Sequence, residues 1–181
     1  MCAQTLTIRG NAIREEELMR LTKFSDYSLK VLLFAAAAPG RSLTIEETAL
    51  AYGISRAHLK KVVLMLGRHG FLMAVRGRSG GYSLARRPED INLGDVLRVT
   101  EPDFALMECF AADNHCKITG QCRMPTVLNR ALAAFLAVFD SYTLHDMMID
   151  PSVFEGLAGK PLVIQPVLGP KLVSREGEAS E

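Results

Sequence analysis

Leu43-Thr44-Ile45-Glu46-Glu47-Thr48-Ala49-Leu50-Ala51-Tyr52-Gly53-Ile54-Ser55-Arg56-Ala57-His58-Leu59-Lys60-Lys61-Val62-Val63-Leu64-Met65-Leu66 holds two helix starts and one turn. Thr44 and Glu47 have the spacing of a capping box, in which hydroxyl and carboxylate satisfy free amides at a helix start. The helix they open runs to about Tyr52, and Gly53 supplies a turn. Ser55 can cap the next helix, along which Leu59, Val62, Val63 and Leu66 recur at the helical period and mark one buried face. Arg56, Ala57, Lys60 and Lys61 point the other way. Two helices joined by a tight glycine turn, the second apolar behind and basic in front, form a helix-turn-helix.

Downstream, Gly70 ends the second helix, and Phe71 to Arg76 and Tyr82 to Ala85 read as two strands around Gly77-Arg78-Ser79-Gly80-Gly81. The glycines let such a wing approach DNA closely, and Arg76 and Arg78 bring charge to it. A nucleotide-binding loop would lead from a strand into a helix; this one leads into another strand. Charge agrees with the motif. Net charge is only +1, but Arg41 to Arg87 holds nine basic residues against Glu46 and Glu47, the footprint of a phosphate-binding face. Double-stranded DNA is the expected partner, with Ser55, Arg56, Lys60 and Lys61 in the major groove and Arg76 and Arg78 at the minor groove or its phosphates.

Outward from this centre the chain divides into five parts. Residues 1–18 show no sustained apolar period and are expected to be a loose, disordered extension. Residues 19–100 form the winged helix-turn-helix, with a first helix from Arg20 to Ala38 stopped by Pro39-Gly40 and a short helix over Ile91 to Val99. Residues 101–124 are a cysteine-containing loop. Residues 125–150 are a dimerisation helix, since Leu128, Ala131/Leu132, Phe135, Val138/Phe139 and Tyr142 repeat at close to 3.5 residues and a helix-turn-helix ordinarily reads two half-sites as a homodimer. Residues 151–181 are a Pro/Gly-rich tail expected to be poorly ordered. The fold class is mainly α with a small β-hairpin wing. The 181 residues, 49% hydrophobic, suffice for one core. The longest wholly apolar run, Val31 to Ala38, has eight residues where a membrane span needs about 20. A cytoplasmic protein without a membrane partner is expected.

Cys109, Cys116 and Cys122 stand in one loop, and the only other cysteine is Cys2. Thiols grouped this way in a chain without secretory features are more often metal ligands than disulfides. Their spacing is too wide for a zinc knuckle and too sparse for a ferredoxin. Three thiolates leave one coordination position to a weaker ligand, which suits reaction with a small molecule better than stable electron storage. Asp26, His115, Glu108 and His145 are candidates for that position. A metal-free redox switch, in which two of the cysteines form a disulfide, is an alternative, as is a structural zinc protein. An enzyme or electron carrier lacks any accompanying catalytic constellation or nucleotide motif.

Met19-Arg20-Leu21-Thr22-Lys23-Phe24-Ser25-Asp26-Tyr27, the wing Val75-Arg76-Gly77-Arg78-Ser79-Gly80-Gly81-Tyr82 and the three-cysteine loop together resemble the iron-sulfur winged-helix repressors of bacteria, the Rrf2 family. The resemblance runs from Met19, which stands where that family's chains usually begin, to about Met148. The segment from Cys116 to Arg123, with Ala134-Phe135-Leu136 and Tyr142 to Asp146, most resembles the nitric-oxide-sensitive members. This implies a homodimeric repressor with an iron-sulfur cluster on Cys109, Cys116 and Cys122, of the 4Fe-4S kind with 2Fe-2S as the alternative, and nitric oxide as signal. It also implies that Asp26 is a fourth ligand donated across the dimer. The family's cluster-assembly regulators carry a histidine three residues after the last cysteine, where this chain has Pro125. Glu108-Cys109-Phe110 and the spacing to Cys116 resemble its iron-responsive members, so iron supply is the alternative signal.

Overall fold

The computed structural model describes residues 6–8, 11–13, 21–77, 80–104, 106–110 and 113–155. A short antiparallel pair, β1 (Leu6–Ile8) with β2 (Asn11–Ile13), stands in the stretch expected to lack regular structure. Helix α1 spans Lys23–Ala36 and starts later than expected, because Thr22 accepts the Ser25 amide and acts as its cap. Helix α2 (Ile45–Tyr52) opens on the capping box read from the sequence: Thr44 Oγ1 accepts from the Glu47 amide at 3.1 Å and Glu47 Oε2 from the Thr44 amide at 2.7 Å. Gly53 follows in the left-handed region, with φ 64°, and α3 (Arg56–Arg68) begins at its Ser55 cap.

These three helices enclose a core of Val31, Leu32, Phe34, Leu43, Leu59, Val62 and Leu66. The wing, β3 (Leu72–Val75) paired with β4 (Gly81–Leu84), is pinned to it through Tyr82. Leu43 and Tyr82 exchange two backbone hydrogen bonds of 2.8 Å, and the buried Tyr82 hydroxyl meets that of Thr48. Burial pushes the Tyr82 phenol up to about 12, so this anchor stays protonated at neutral pH. Gly81 is required here: a Cβ would run into the Leu43 carbonyl.

Helix α4 (Leu93–Thr100) carries the connection to the rest of the chain. Its buried residues, Leu93, Gly94, Val96, Leu97 and Thr100, close the core beside α1, where Ser25 Oγ donates to Thr100 Oγ1 at 2.7 Å. Glu101 at its end accepts from Thr22 N at 2.9 Å and Thr22 Oγ1 at 3.2 Å. Helix α5 (Met124–Asp140) returns to the other end of α4. Arg98 grips Asp140 with two bonds of 2.6 and 2.8 Å, Leu93 N donates to Tyr142 O, and Leu144 N donates to Ile91 O. The Leu144 side chain is fully buried in the core.

Of the tail expected to be poorly ordered, residues 156–181 lie outside the described residues; at its start α6 (Ser152–Glu155) brings Phe154 against Phe34 and Tyr52, at centroid distances of 5.1 and 6.2 Å. The aromatic cluster offers enough apolar surface to order a segment whose Pro/Gly composition argues otherwise. No helix among the described residues is long and apolar enough to cross a membrane.

Leu144 rather than the exposed Arg98–Asp140 pair should hold α5 in place, because burial outweighs an ion pair screened by solvent. Leu144→Ala is expected to cost about 2–5 kcal/mol in urea denaturation, and Asp140→Asn far less.

Candidate nucleic-acid interface and cysteine loop

The apolar face of α3 (Leu59, Val62, Leu66) is completely buried, so the opposite face is held out to solvent with Arg56, Lys60 and Lys61 on it. Ser55 is exposed, but its hydroxyl is engaged as the helix cap, accepting from the His58 amide at 3.4 Å. Arg56 reaches back to Glu46 of α2 at 3.7 Å. Arg76, just past β3, is exposed near the wing tip, whereas Arg78 lies outside the described residues. Three other members of the basic stretch, exposed though they are, have partners of their own. Arg41 binds Glu47 at 2.6 Å, Arg87 binds Asp90 at 3.0 Å, and Arg86 donates to His69 O while lying 5.3 Å from the Phe71 ring centre. The charge count therefore overstates the free field: Lys60, Lys61, Arg68 and Arg76 stay exposed, and Arg56 shares its charge with Glu46. Sequence reasoning passed over His58, exposed on the same helix, bonded through Nδ1 to Ser55 Oγ at 2.9 Å and tilted against Tyr27 of α1 with ring centres 6.2 Å apart.

Between α4 and α5 the cysteine loop is built from tight turns. Cys109 lies in a 3-10 turn, Glu108–Phe110. Asn114 Oδ1 accepts from the Cys116 amide at 2.9 Å, and Ile118 O accepts from both Gln121 N and Cys122 N. Cys122 ends the loop at the start of α5, where its Sγ accepts from the Met124 amide at 3.4 Å and replaces the side-chain cap the helix lacks. All three thiols are free and half-buried. As donors they fit an iron-sulfur cluster in kind and number, since soft thiolates select such clusters. Among the described residues, no three His, Cys, Asp or Glu side chains are close enough to hold a metal within one chain.

The candidates for a fourth ligand are dispersed. Asp26, in the first turn of α1, is half-exposed and pairs with Lys30 at 2.6 Å. Glu108 Oε1 accepts from the His115 amide at 3.0 Å, and His145 faces Glu89 at 3.8 Å. Lys30 also sits 5.8 Å from the centre of the Tyr27 ring. Asp26, Lys30, Tyr27 and His58 thus form one chain of contacts from the first turn of α1 to the start of α3.

The pattern of the Rrf2 family, described as an iron-dependent transcriptional regulator, matches residues 21–150. The chain belongs to the Rrf2 family. Its members are transcriptional regulators and not enzymes. The HTH-type transcriptional regulator NsrR of Bacillus subtilis strain 168 is 50% identical over 132 residues, 72% of this chain and 90% of that protein. NsrR of Bacillus licheniformis is 46% identical over 134 residues, 73% of this chain and 94% of that protein. Among solved structures, T. potens IscR superposes with a TM-score of 0.57 at 27% identity, covering 71% of this chain and 85% of that one. The fold class expected from the sequence, mainly helical with a two-stranded wing, is that of these Rrf2 regulators.

Because all three loop thiols are partly open to solvent, metal-free Cys2→Ala protein should titrate three thiols with Ellman's reagent without denaturant. A thiol that reacts only after unfolding would contradict the exposure described.

Proposed function

We propose that this Rrf2 regulator is a homodimeric, DNA-binding repressor that holds an iron-sulfur cluster, of the 4Fe-4S kind, and releases its operator on exposure to nitric oxide. The observation that carries the reading is the position of the three free thiols: they lie in the one segment whose two ends are fastened to the helix-turn-helix domain, through Glu101–Thr22 at one end and Leu144 at the other. Similarity to the two NsrR proteins supports it.

Cys109, Cys116 and Cys122 would hold the cluster, with Asp26 of the partner subunit as the oxygen ligand. When bound, the cluster would supply an iron open to nitric oxide, since carboxylate is a weaker iron ligand than thiolate. The chain's own residues would carry the consequence. Engaging Asp26 as a ligand competes with Lys30 for the same carboxylate, and Lys30 borders Tyr27, which abuts His58 on α3. Displacement of the loop also passes through Glu101 to Thr22 at the start of α1. Either route biases the placement of the recognition helix between two arrangements.

Dimerisation is assigned to α5. None of its residues is buried, and its apolar side chains divide into two stripes. Leu128, Leu132, Leu136 and Phe139 are half-covered, while Val127, Ala131, Phe135, Val138 and the following Tyr142 are exposed at helical spacing. The second stripe is the seam a partner copy would cover. Val138→Glu should yield a monomer by light scattering at micromolar concentration, with the circular dichroism of the fold retained.

The function is tested on anaerobically purified holo protein bound to its operator, titrated with nitric oxide and, separately, with an iron chelator. Release at a few nitric oxide molecules per cluster is expected, with Asp26→Ala altering that response. Cys109→Ala, Cys116→Ala and Cys122→Ala should each lose visible absorbance and bound iron, while Cys2→Ala keeps both. Release by modest iron depletion with operator binding surviving nitric oxide would instead assign an iron signal. A cluster retained in all three loop variants would reject the ligand set.

A further inference from the structure

We propose that His58 is a base-reading residue of the recognition helix: held by Ser55 and Tyr27, it offers its Nε2–H to an acceptor on the major-groove edge of one base pair in each half-site. The proposal rests on the DNA-binding reading above and assigns specificity within it.

His58 is the third residue of α3, and the N-terminal residues of such a helix reach base edges. Its neighbours there are limited in what they can read. The Ser55 hydroxyl is committed to the cap, Ala57 has only a methyl group, and Arg56 is drawn toward Glu46. Lys60 and Lys61 are flexible point charges suited to phosphates. His58 alone joins exposure to a ring fixed at two points, Ser55 Oγ on Nδ1 at 2.9 Å and the Tyr27 ring alongside.

Ser55 Oγ can meet either tautomer of the ring, and the reading of a base acceptor requires the one in which Ser55 donates. Ser55 Oγ accepts from the His58 amide at 3.4 Å and has one hydroxyl proton to donate. Given to Nδ1, that proton makes Nδ1 the acceptor, and the neutral ring then carries its own hydrogen on Nε2. Nε2 lies on the ring edge away from Ser55. A lone N–H donor there matches guanine N7 or O6, adenine N7 or thymine O4 and finds no partner in the amino groups of cytosine or adenine. Ser55 and Tyr27 are positioning residues in this arrangement, and only His58 touches the base.

The test uses full-length holo protein prepared without air. Wild type first selects an operator from randomised duplexes; selection of no duplex would overturn both the DNA-binding reading and this proposal. Wild type and His58→Ala are then measured against that operator with each base pair replaced in turn. At one symmetry-related position, replacement should weaken wild type about tenfold per half-site, the scale of one hydrogen bond, and leave His58→Ala unaffected. His58→Gln, whose amide N–H reaches where Nε2 lies, should retain the preference, and His58→Asn, whose amide stops near Nδ1, should lose it. The Gln and Asn pair decides the matter if the alanine variant fails to fold. Nitrogen-15 NMR at pH 8 should find the Nε2–H tautomer. A loss spread equally over every replacement would make His58 a backbone contact; that result, unchanged binding, or an Nδ1–H ring would overturn the assignment while leaving DNA binding intact.

Discussion

The eight-residue helix α4 carries the structure's main constraint. Its inner face (Val96, Leu97 and Thr100) closes the core beside α1. Its outer edge grips α5 through Arg98, and the backbone around Asn92 pairs with the strand-like segment at Thr143. Everything between residues 101 and 143 is therefore a long excursion that leaves from and returns to one element. Buried Leu144 makes the return point rigid, and the Ser25–Thr100 hydroxyl pair does the same for the departure point. A disturbance inside the excursion has few ways to be absorbed locally, because both of its ends are tied to the domain that bears the recognition helix.

The DNA face follows from the same economy of contacts. Tyr82 and Gly81 hold the wing against the residues preceding α2, so helix-turn-helix and wing form one surface. Intramolecular pairing then sorts the arginines. Arg41, Arg86 and Arg87 have partners within the fold and Arg56 leans on Glu46, leaving Lys60, Lys61, Arg68 and Arg76 as the exposed cations without such a partner among the described residues. Short-range ion pairs near a surface are worth little in stability, yet each one removes a donor from the field a ligand meets, which matters more for recognition than for folding.

A single chain leaves two features unfinished. The stripe through Val127, Phe135 and Val138 is exposed on a helix with no buried residue, and the three thiols, correct in kind, are not gathered into one metal site among the described residues. The proposed homodimer would cover the stripe and bring the partner's Asp26 to the loop, while gathering the three thiols would fall to the cluster itself. This is why the proposed sensor and the proposed dimer stand or fall on related experiments.

Much of the fold was legible in the residues themselves because its signals are local. Thr44 and Glu47, Gly53, Ser55 and the Leu59/Val62/Leu66 period act within one or two helical turns, and each reappears in the structure as read. The cysteines could be named as ligand candidates for the same reason, being close in sequence. What local pattern could not convey was contact across the chain. The apolar period of α5 looked like a single seam, but packing against the domain divides it into a half-covered and an exposed stripe. Phe154 lies at the start of a segment whose composition favours disorder, and it packs against Phe34 and Tyr52, over a hundred residues earlier. His58 carried no motif; its Ser55 contact is local to the first turn of α3, and the Tyr27 contact arises only when α1 and α3 pack together. Sequence by itself determined the starts of α2 and α3 and the wing, and it supplied the cysteines as candidate donors, because those depend on neighbouring residues. Tertiary structure decided which charges remain available, which helix face stays uncovered and which side chain is rigidly presented, because those depend on groups that meet only after the chain has folded.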